Sequence, residues 1–454
     1  MSVDLTAAMF SSAAIDAAFG VDACVQRMLD FEAALAQAEA AHGVIPQTAA
    51  SAIAAACDAS RIDLEGLAQA AGAAGNLAIP LIRQLTAQVA QSDAEAAKYV
   101  HWGATSQDAI DTGMVLQLRD ALESIDADLD ALCGALANLA DTHRATVMIG
   151  RTWLQHALPT TFGLKAAGWL DGLLRQRQRL AQARPRLLAL QFGGAAGTLA
   201  GLGAQGPAVA ATLAGRLRLQ LPDLPWHGQR DRVAEAGALL GLLTGSLGKI
   251  ARDISLMAQT EVGEAAEPSA PGRGGSSTMP HKRNPVACAA TLAAATRVPG
   301  LVATLLAAQV QEHERALGGW QAEWDTLPQI VRLTGAALRQ MRQALAGLEI
   351  DAARMRANLD LTHGLIMAEA VTLALGASLG RQQAHARVQQ ACEQALAEGS
   401  HLREVLAADA ALAAALPPAQ LEKLFQPEAY LGAANDFVER VLWTWRADQH
   451  TEPR

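Results

Sequence analysis

The chain has 454 residues, of which 51% are hydrophobic, 18% charged and only 4% aromatic. That length suits two to four domains at roughly 100–200 residues each, and the apolar content excludes an intrinsically disordered chain. Ala and Leu, both strong helix formers, carry the apolar fraction and leave little strand-forming material, while a net charge of −9 argues against a general nucleic-acid binder.

An acidic total still permits a small anionic substrate, because a few local cations outweigh a distant negative surface. The cysteines, Cys24, Cys57, Cys133, Cys288 and Cys392, are odd in number and scattered. That pattern fits reduced thiols in a cytosol and neither a disulfide framework nor a zinc site. The start of the chain lacks a basic-then-apolar leader, with Asp4 early. The longest uncharged run, Leu187 to Gly215, is broken by glycines and Pro207 and is a poor membrane span. The expectation is a cytoplasmic protein with no membrane and no nucleic-acid partner.

Residues 1–110 mix short Ala-rich amphipathic segments with turn signals at Gly43–Pro46 and Gly72–Asn76. From Met114 the apolar positions run Leu118, Leu122, Ile125, Leu129, Leu132, Leu136 and Leu139, in steps of three and four, which predicts one long helix with a continuous seam. Pro159 sits where a further helix would begin, running through Leu164 and Leu170. Another long helix reads Leu240, Leu243, Leu247, Ile250, Ile254 and Met257; Pro285 opens one through Leu292; and a last reads Ile330, Leu338, Met341, Leu345 and Leu348. Long helices with narrow seams are best satisfied in an elongated bundle, and neighbouring subunits can complete such seams. After about residue 355 the helices shorten again, with a break at Pro417–Pro418. The expected fold is all-α: an N-terminal helical domain over 1–111, a central bundle over 112–355 and a C-terminal helical domain over 356–454.

Between two of these helices lies a long Gly/Pro/Ser-rich loop, residues 264–284, in a class of connection that is normally ~2–8 residues. Its core reads Gly275-Ser276-Ser277-Thr278-Met279-Pro280-His281-Lys282-Arg283-Asn284-Pro285. Glycines beside serines let backbone amides approach an anion, and Lys282, Arg283 and Asn284 lie just before a helix N-terminus, which favours negative charge. The plain alternative is a helix cap with solvated cations.

This string resembles the signature of the fumarase/aspartase superfamily: Gly-Ser-Ser, two residues, Pro, one residue, Lys, one residue, Asn-Pro. His101-Trp102-Gly103-Ala104-Thr105-Ser106-Gln107-Asp108 resembles that superfamily's first shared region, and Gly150-Arg151-Thr152-Trp153-Leu154-Gln155 its second. The resemblance implies three helical domains, a homotetramer around a many-helix core, and active sites shared between subunits. It implies addition–elimination beside a carboxylate through an aci-carboxylate carbanion, with no cofactor and no metal. Ser276 would transfer the proton, with Lys282 beside it stabilising the alkoxide. Lys282, Asn284, Thr105 and Ser106 would hold substrate carboxylates, and His101 would be a polar pocket residue. Thr152, Trp153, Gln155, Ser277 and Met279 would line the same pocket.

The sequence departs from its superfamily in one coupled way. Where most members carry a His after the Gly-x-Thr of the second region, and a Glu four residues after the Asn-Pro, this chain has Trp153 and Ala289. That pair handles the proton of an amine or hydroxyl leaving group. A carboxylate leaving or attacking needs no such proton, so the double loss points to lactonisation of a tricarboxylate. The segments His313–Trp324, His101–Gly113 and Gly364–Glu369 are similar to the superfamily branch that lactonises 3-carboxy-cis,cis-muconate. The competing resemblance is to adenylosuccinate lyase, whose phosphate-gripping serine and arginine align with Trp320 and Trp324; a non-enzymatic helical homologue is the alternative of another class.

Other candidates are weaker. Arg151 and Arg315 each read as a substrate contact or a structural ion pair. His156 and His281 are alternative proton carriers, and His143 suits a helix-dipole contact. Gly193–Thr198 packs closely or borders the site. Gly201–Gly206 fits a dinucleotide fingerprint without the preceding strand, and His313-Glu314 lacks the second histidine of a zinc helix.

Overall fold

The computed structural model describes residues 6–269, 274–275, 278–279 and 281–449. Six helices position the residues of interest: α1 Val21–Ala41, α2 Ser106–Thr142, α3 Phe162–Leu187, α4 Asp231–Met257, α5 Val286–Ala308 and α6 Gly319–Ala346. The expected seam of α2 is buried from Leu118 to Leu139, and each leucine so buried contributes about 1.5–3 kcal/mol. The only strands among the described residues form two short antiparallel pairs. One is a hairpin of β1 Val147–Thr152 with β2 Gln155–Thr161, and the other joins β3 Ala265–Ala266 to β4 Glu349–Ile350.

Chain contacts divide the molecule into two compact units, and each of α2 to α6 contributes residues to both. The first unit comprises Met1–Leu129, Gln176–Gly248 and Ala290–Gln340. Its core includes Phe31, whose ring meets Phe192 edge-on at 6.2 Å. Within it α4 and α5 approach closely: a Cβ on Gly237 would fall 2.4 Å from Leu305, and one on Gly248 would fall 2.7 Å from Ala295. The second unit comprises Asp130–Arg175, Lys249–Ala289 and Met341–Arg454. There Phe162 sits between the rings of His143 and Trp169, at 5.4 and 5.9 Å. A C-terminal cluster of Val371, Leu375, Val388, Leu402 and Leu406 forms a further core.

Two expectations need correction. Pro159 does not open a helix; it lies inside β2, and α3 begins at Phe162. Thr161 provides the start signal instead, since its Oγ1 accepts from the Leu164 amide at 3.0 Å in the manner of an N-cap. His143 ends α2 but does not serve its dipole as a cation. Burial holds its imidazole below the usual value, and Nδ1 meets the Thr146 hydroxyl at 3.0 Å. By length and composition α4 and α5 are apolar enough to cross a membrane, and only 33% of the most apolar stretch of α5 is buried.

Candidate active site

In the first unit the site begins at the N-terminus of α2. Thr105 and Ser106 are half-buried there, at a helix end whose dipole favours an anion. Asp108, fully buried in the first turn, fixes this end. Its Oδ2 accepts from the backbone amides of Thr105 (3.0 Å) and Gly194 (2.9 Å). Its Oδ1 accepts from the Gly193 amide (3.0 Å) and Gln191 Nε2 (3.0 Å) and pairs with His227 Nε2 at 2.8 Å. A carboxylate so supplied with donors is a rigid anchor. Gly194 has φ +67°, and a Cβ there would lie 2.9 Å from the Gly103 carbonyl, so the turn is closed to other residues. Arg315 donates from Nη2 to the Ala195 carbonyl at 2.9 Å, while its buried Nε meets no acceptor among the described residues. Among the described residues Arg315 forms no ion pair, and the glycine segment that holds it is clamped by Asp108.

His101 has φ 58° and is held from behind, its Nδ1 2.7 Å from Oε1 of Glu32 on α1. Burial pulls the imidazole down, but the charge and hydrogen bond of Glu32, with Asp108 adding to them, outweigh it and leave the ring above the usual histidine value.

Trp320 is a core residue and Trp324, half-buried, packs against it. Trp320 is buried, donates from Nε1 to Asp111 at 2.9 Å and meets Trp324 edge-on at 4.9 Å. Asp111 also takes the fully buried Arg230 (2.7 Å), which turns its other edge to Glu323 (3.0 Å). No phosphate-gripping chemistry remains at either tryptophan.

In the second unit the hairpin and the signature loop carry the candidates. Trp153 and Leu154 form the two-residue turn with φ 53° and 65°, and Trp153 is 97% exposed. Two positive φ values in non-glycine residues store roughly 1–3 kcal/mol each. Thr152 and Gln155 flank the turn, paired and exposed. His156 stands in β2 opposite Arg151, so its place is set by strand geometry and not by a helix; burial, with Arg151 adding to it, lowers its imidazole. Arg151 forms a two-point pair with Glu264, at 2.7 and 2.9 Å, and Glu264 is fully buried and also takes Asn358 at 2.8 Å. The hairpin is thereby tied to the first residue of the loop.

The far end of the loop is equally constrained. The Asn284 amide donates to the Gly274 carbonyl at 2.9 Å, and Gly274 has φ +68° with no room for a Cβ, which would fall 2.7 Å from the Asn284 carbonyl. Arg283 is a structural anchor, pairing with Glu349 (2.7 and 2.8 Å). Glu267 caps α5 by accepting from the amides of Ala287 (3.0 Å) and Cys288 (2.8 Å). Lys282, its amide donating to the Met279 carbonyl at 3.0 Å, is exposed, as are Met279 and His281. Ser276 and Ser277 lie outside the described residues.

Sequence reasoning gave no role to Glu32, Asp108, Glu264 or Glu267. A signal existed for Glu32 and Glu39: two carboxylates seven residues apart on the apolar face of α1.

Comparison with known proteins completes the picture. A family model described as lyase matches residues 10–300, and one described as adenylosuccinate lyase C-terminus matches 364–441. The chain is 57% identical, over 96% of its length and 97% of the relative's, to 3-carboxy-cis,cis-muconate cycloisomerase of Bradyrhizobium diazoefficiens. It is 56% identical, over 96% of its length and 95% of the relative's, to the enzyme of that name from Pseudomonas aeruginosa. The crystal structure of 3-carboxy-cis,cis-muconate lactonizing enzyme from Pseudomonas putida superposes with a TM-score of 0.94 at 53% identity, over 98% of this chain and 99% of that one.

Proposed function

Since the chain belongs to the lyase family of the fumarase/aspartase superfamily, we propose that it is the cycloisomerase that closes 3-carboxy-cis,cis-muconate to 4-carboxymuconolactone in protocatechuate catabolism. The observation that carries this reading is the 57% identity to a cycloisomerase over nearly the whole of both chains. The exposed Trp153 at the hairpin tip supports it, since an indole there supplies no proton to a leaving amine or alcohol.

In the reaction a carboxylate oxygen of the substrate attacks the alkene carbon and forms the C–O bond. The displaced electron pair moves onto the neighbouring carboxylate as an aci-carboxylate, and the adjacent carbon then takes a proton. Thr105 and Ser106 at the α2 N-terminus, and Lys282 and Asn284 in the loop, bind carboxylates and favour the dianionic form. Arg315 adds a cationic donor and His101 a polar one, and Arg151, Thr152, Trp153, Gln155, Ser277 and Met279 border the pocket. Ser276 delivers the proton. The substrate is a small tricarboxylate, and the assembly is a cytoplasmic homotetramer in which different copies contribute residues to each site. The division at residues 111 and 355 belongs to the same reading.

Purified protein should bleach the ultraviolet absorption of the muconate; no turnover, with fumarate released from adenylosuccinate, would overturn the assignment. Ser276→Ala should lower kcat by a factor of about 100 or more, the usual range for removing a general acid. A variant with near-wild-type kcat would transfer the proton role to His281 or His156.

A further inference from the structure

Behind the candidate site, α1 carries two carboxylates on its buried face. Glu32 and Glu39 are 1% and 0% exposed, two helical turns apart. Glu32 spends Oε1 on His101, and its Oε2 has no donor among the described residues; neither oxygen of Glu39 has one either. A hydrogen bond of 2.7 Å from Nδ1 to a carboxylate fixes the ring: Nδ1 carries a proton, and Nε2 is the nitrogen left for another partner. The His101 backbone is in the left-handed region, and its side chain remains 17% exposed. The ring therefore leans on one buried acid and presents one atom outward.

We propose that Glu32 is a positioning residue that holds His101 as an imidazolium, so that its Nε2–H becomes a carboxylate-binding cation of the site. This rests on the tricarboxylate reading above, and it gives that substrate a charged donor in the first unit beside the neutral Thr105 and Ser106.

The surroundings favour the charge. From α2, Asp108 faces the ring and adds to its proton affinity; Asp108 is itself bonded to His227. From α1, Glu39 lies close enough to repel Glu32, and burial with that repulsion pushes the Glu39 carboxyl up to about 9. Glu39 therefore remains a neutral acid at pH 7. From the helix Gln47–Ala56, Cys57 follows the last turn, its thiol pushed up by burial and by Glu32 and Asp30, so it too stays neutral. Asp30 is in turn paired with Arg27.

The test uses the full-length enzyme and two readouts. Histidine labelled with nitrogen-15, with His101→Asn supplying the assignment, gives the titration of the ring directly. Glu32→Gln keeps the shape of the side chain and removes its charge. The His101 titration should then move down in pH, and kcat/KM at neutral pH should fall in proportion to the protonated fraction of the ring, approaching about tenfold per unit only once the titration lies below the assay pH. The loss should appear mainly in KM and should shrink towards pH 5, where the ring is protonated without help. Glu32→Asp, which restores a carboxylate, should recover part of the titration shift. An unmoved titration, or a loss equal at every pH, would overturn the proposal. Should Glu32→Gln not fold, the wild-type titration and Glu32→Asp carry the decision. If the wild type does not lactonise the muconate, the substrate reading fails, yet the titration still tests the Glu32–His101 pair.

Discussion

At the scale of single residues, this protein invests in buried carboxylates, and they differ in what they do. Asp108 accepts from three backbone amides and Gln191 while also holding His227. Asp108→Asn would turn an NH2 group towards donors that all require an acceptor. We expect a stability loss of about 2–4 kcal/mol, because buried donors are left unmet, together with a fall in kcat/KM as the Gly193–Ala195 turn releases Arg315. Urea unfolding and steady-state kinetics check the two effects separately. Glu39 is the opposite case, a buried acid with its carboxyl near 9 against the usual 4.5. The folded chain keeps a proton that the unfolded chain releases. Stability therefore declines as pH rises from about 4.5 towards 9, by up to about 1.4 kcal/mol per unit. Glu39→Gln should flatten that slope in unfolding experiments between pH 5 and 9; a slope unchanged by the substitution would show that other groups set it. These carboxylates were poorly legible in the sequence. Glu32 meets His101 69 residues away, and Glu264 meets Arg151 at 113. The motifs name His101 and Arg151, while the only sequence signal for a partner is the pair of carboxylates on the apolar face of α1, which does not say what Glu32 meets.

At the scale of elements, the long helices were legible because a seam of apolar residues at steps of three and four has one structural solution. The β1–β2 hairpin was not, and the reason is local. Pro159 is a helix-start residue by propensity, but it follows a run of strand-compatible residues, and Thr161 two positions later supplies the cap that starts α3. The turn itself lacks the Asn-Gly or Asp-Gly signal expected of a two-residue hairpin. Trp153 and Leu154 occupy it with positive φ values, and both are exposed. Backbone strain with exposed apolar side chains is poor for stability, and on the proposed reading Trp153 is kept there to border the substrate pocket. Replacing Trp153–Leu154 by Asn–Gly should raise stability by about 1–2 kcal/mol through relief of that strain, while lowering activity. A calorimetric scan and an activity assay on the same preparation read both. Gain of stability without loss of activity would remove Trp153 from the site. The signature loop reads similarly: its motif marked the family, but its anchors were not legible, since Arg283 looked like a site cation and instead pairs with Glu349.

At the scale of the whole molecule, the helices carry more apolar surface than one chain covers. Leu242 on α4 is 52% exposed and Leu306 on α5 is 50% exposed. An apolar stretch of α5 buried to only 33% is too extensive for the surface of a lone soluble chain. Charged residues along α4, among them Arg232, Glu235, Lys249 and Arg252, suit contact with protein and water better than with lipid. In the proposed homotetramer, copies of the same chain would cover it. A charge placed in that surface costs several kcal/mol once it is desolvated by a neighbour, but little where it remains in water. Leu306→Glu should therefore leave helix content by circular dichroism unchanged and reduce the mass in solution from a tetramer to a smaller species by light scattering. Activity should fall in step with dissociation, because the proposed site draws residues from several copies. A wild type that is monomeric, or a variant that dissociates and retains full activity, would show that each chain works alone.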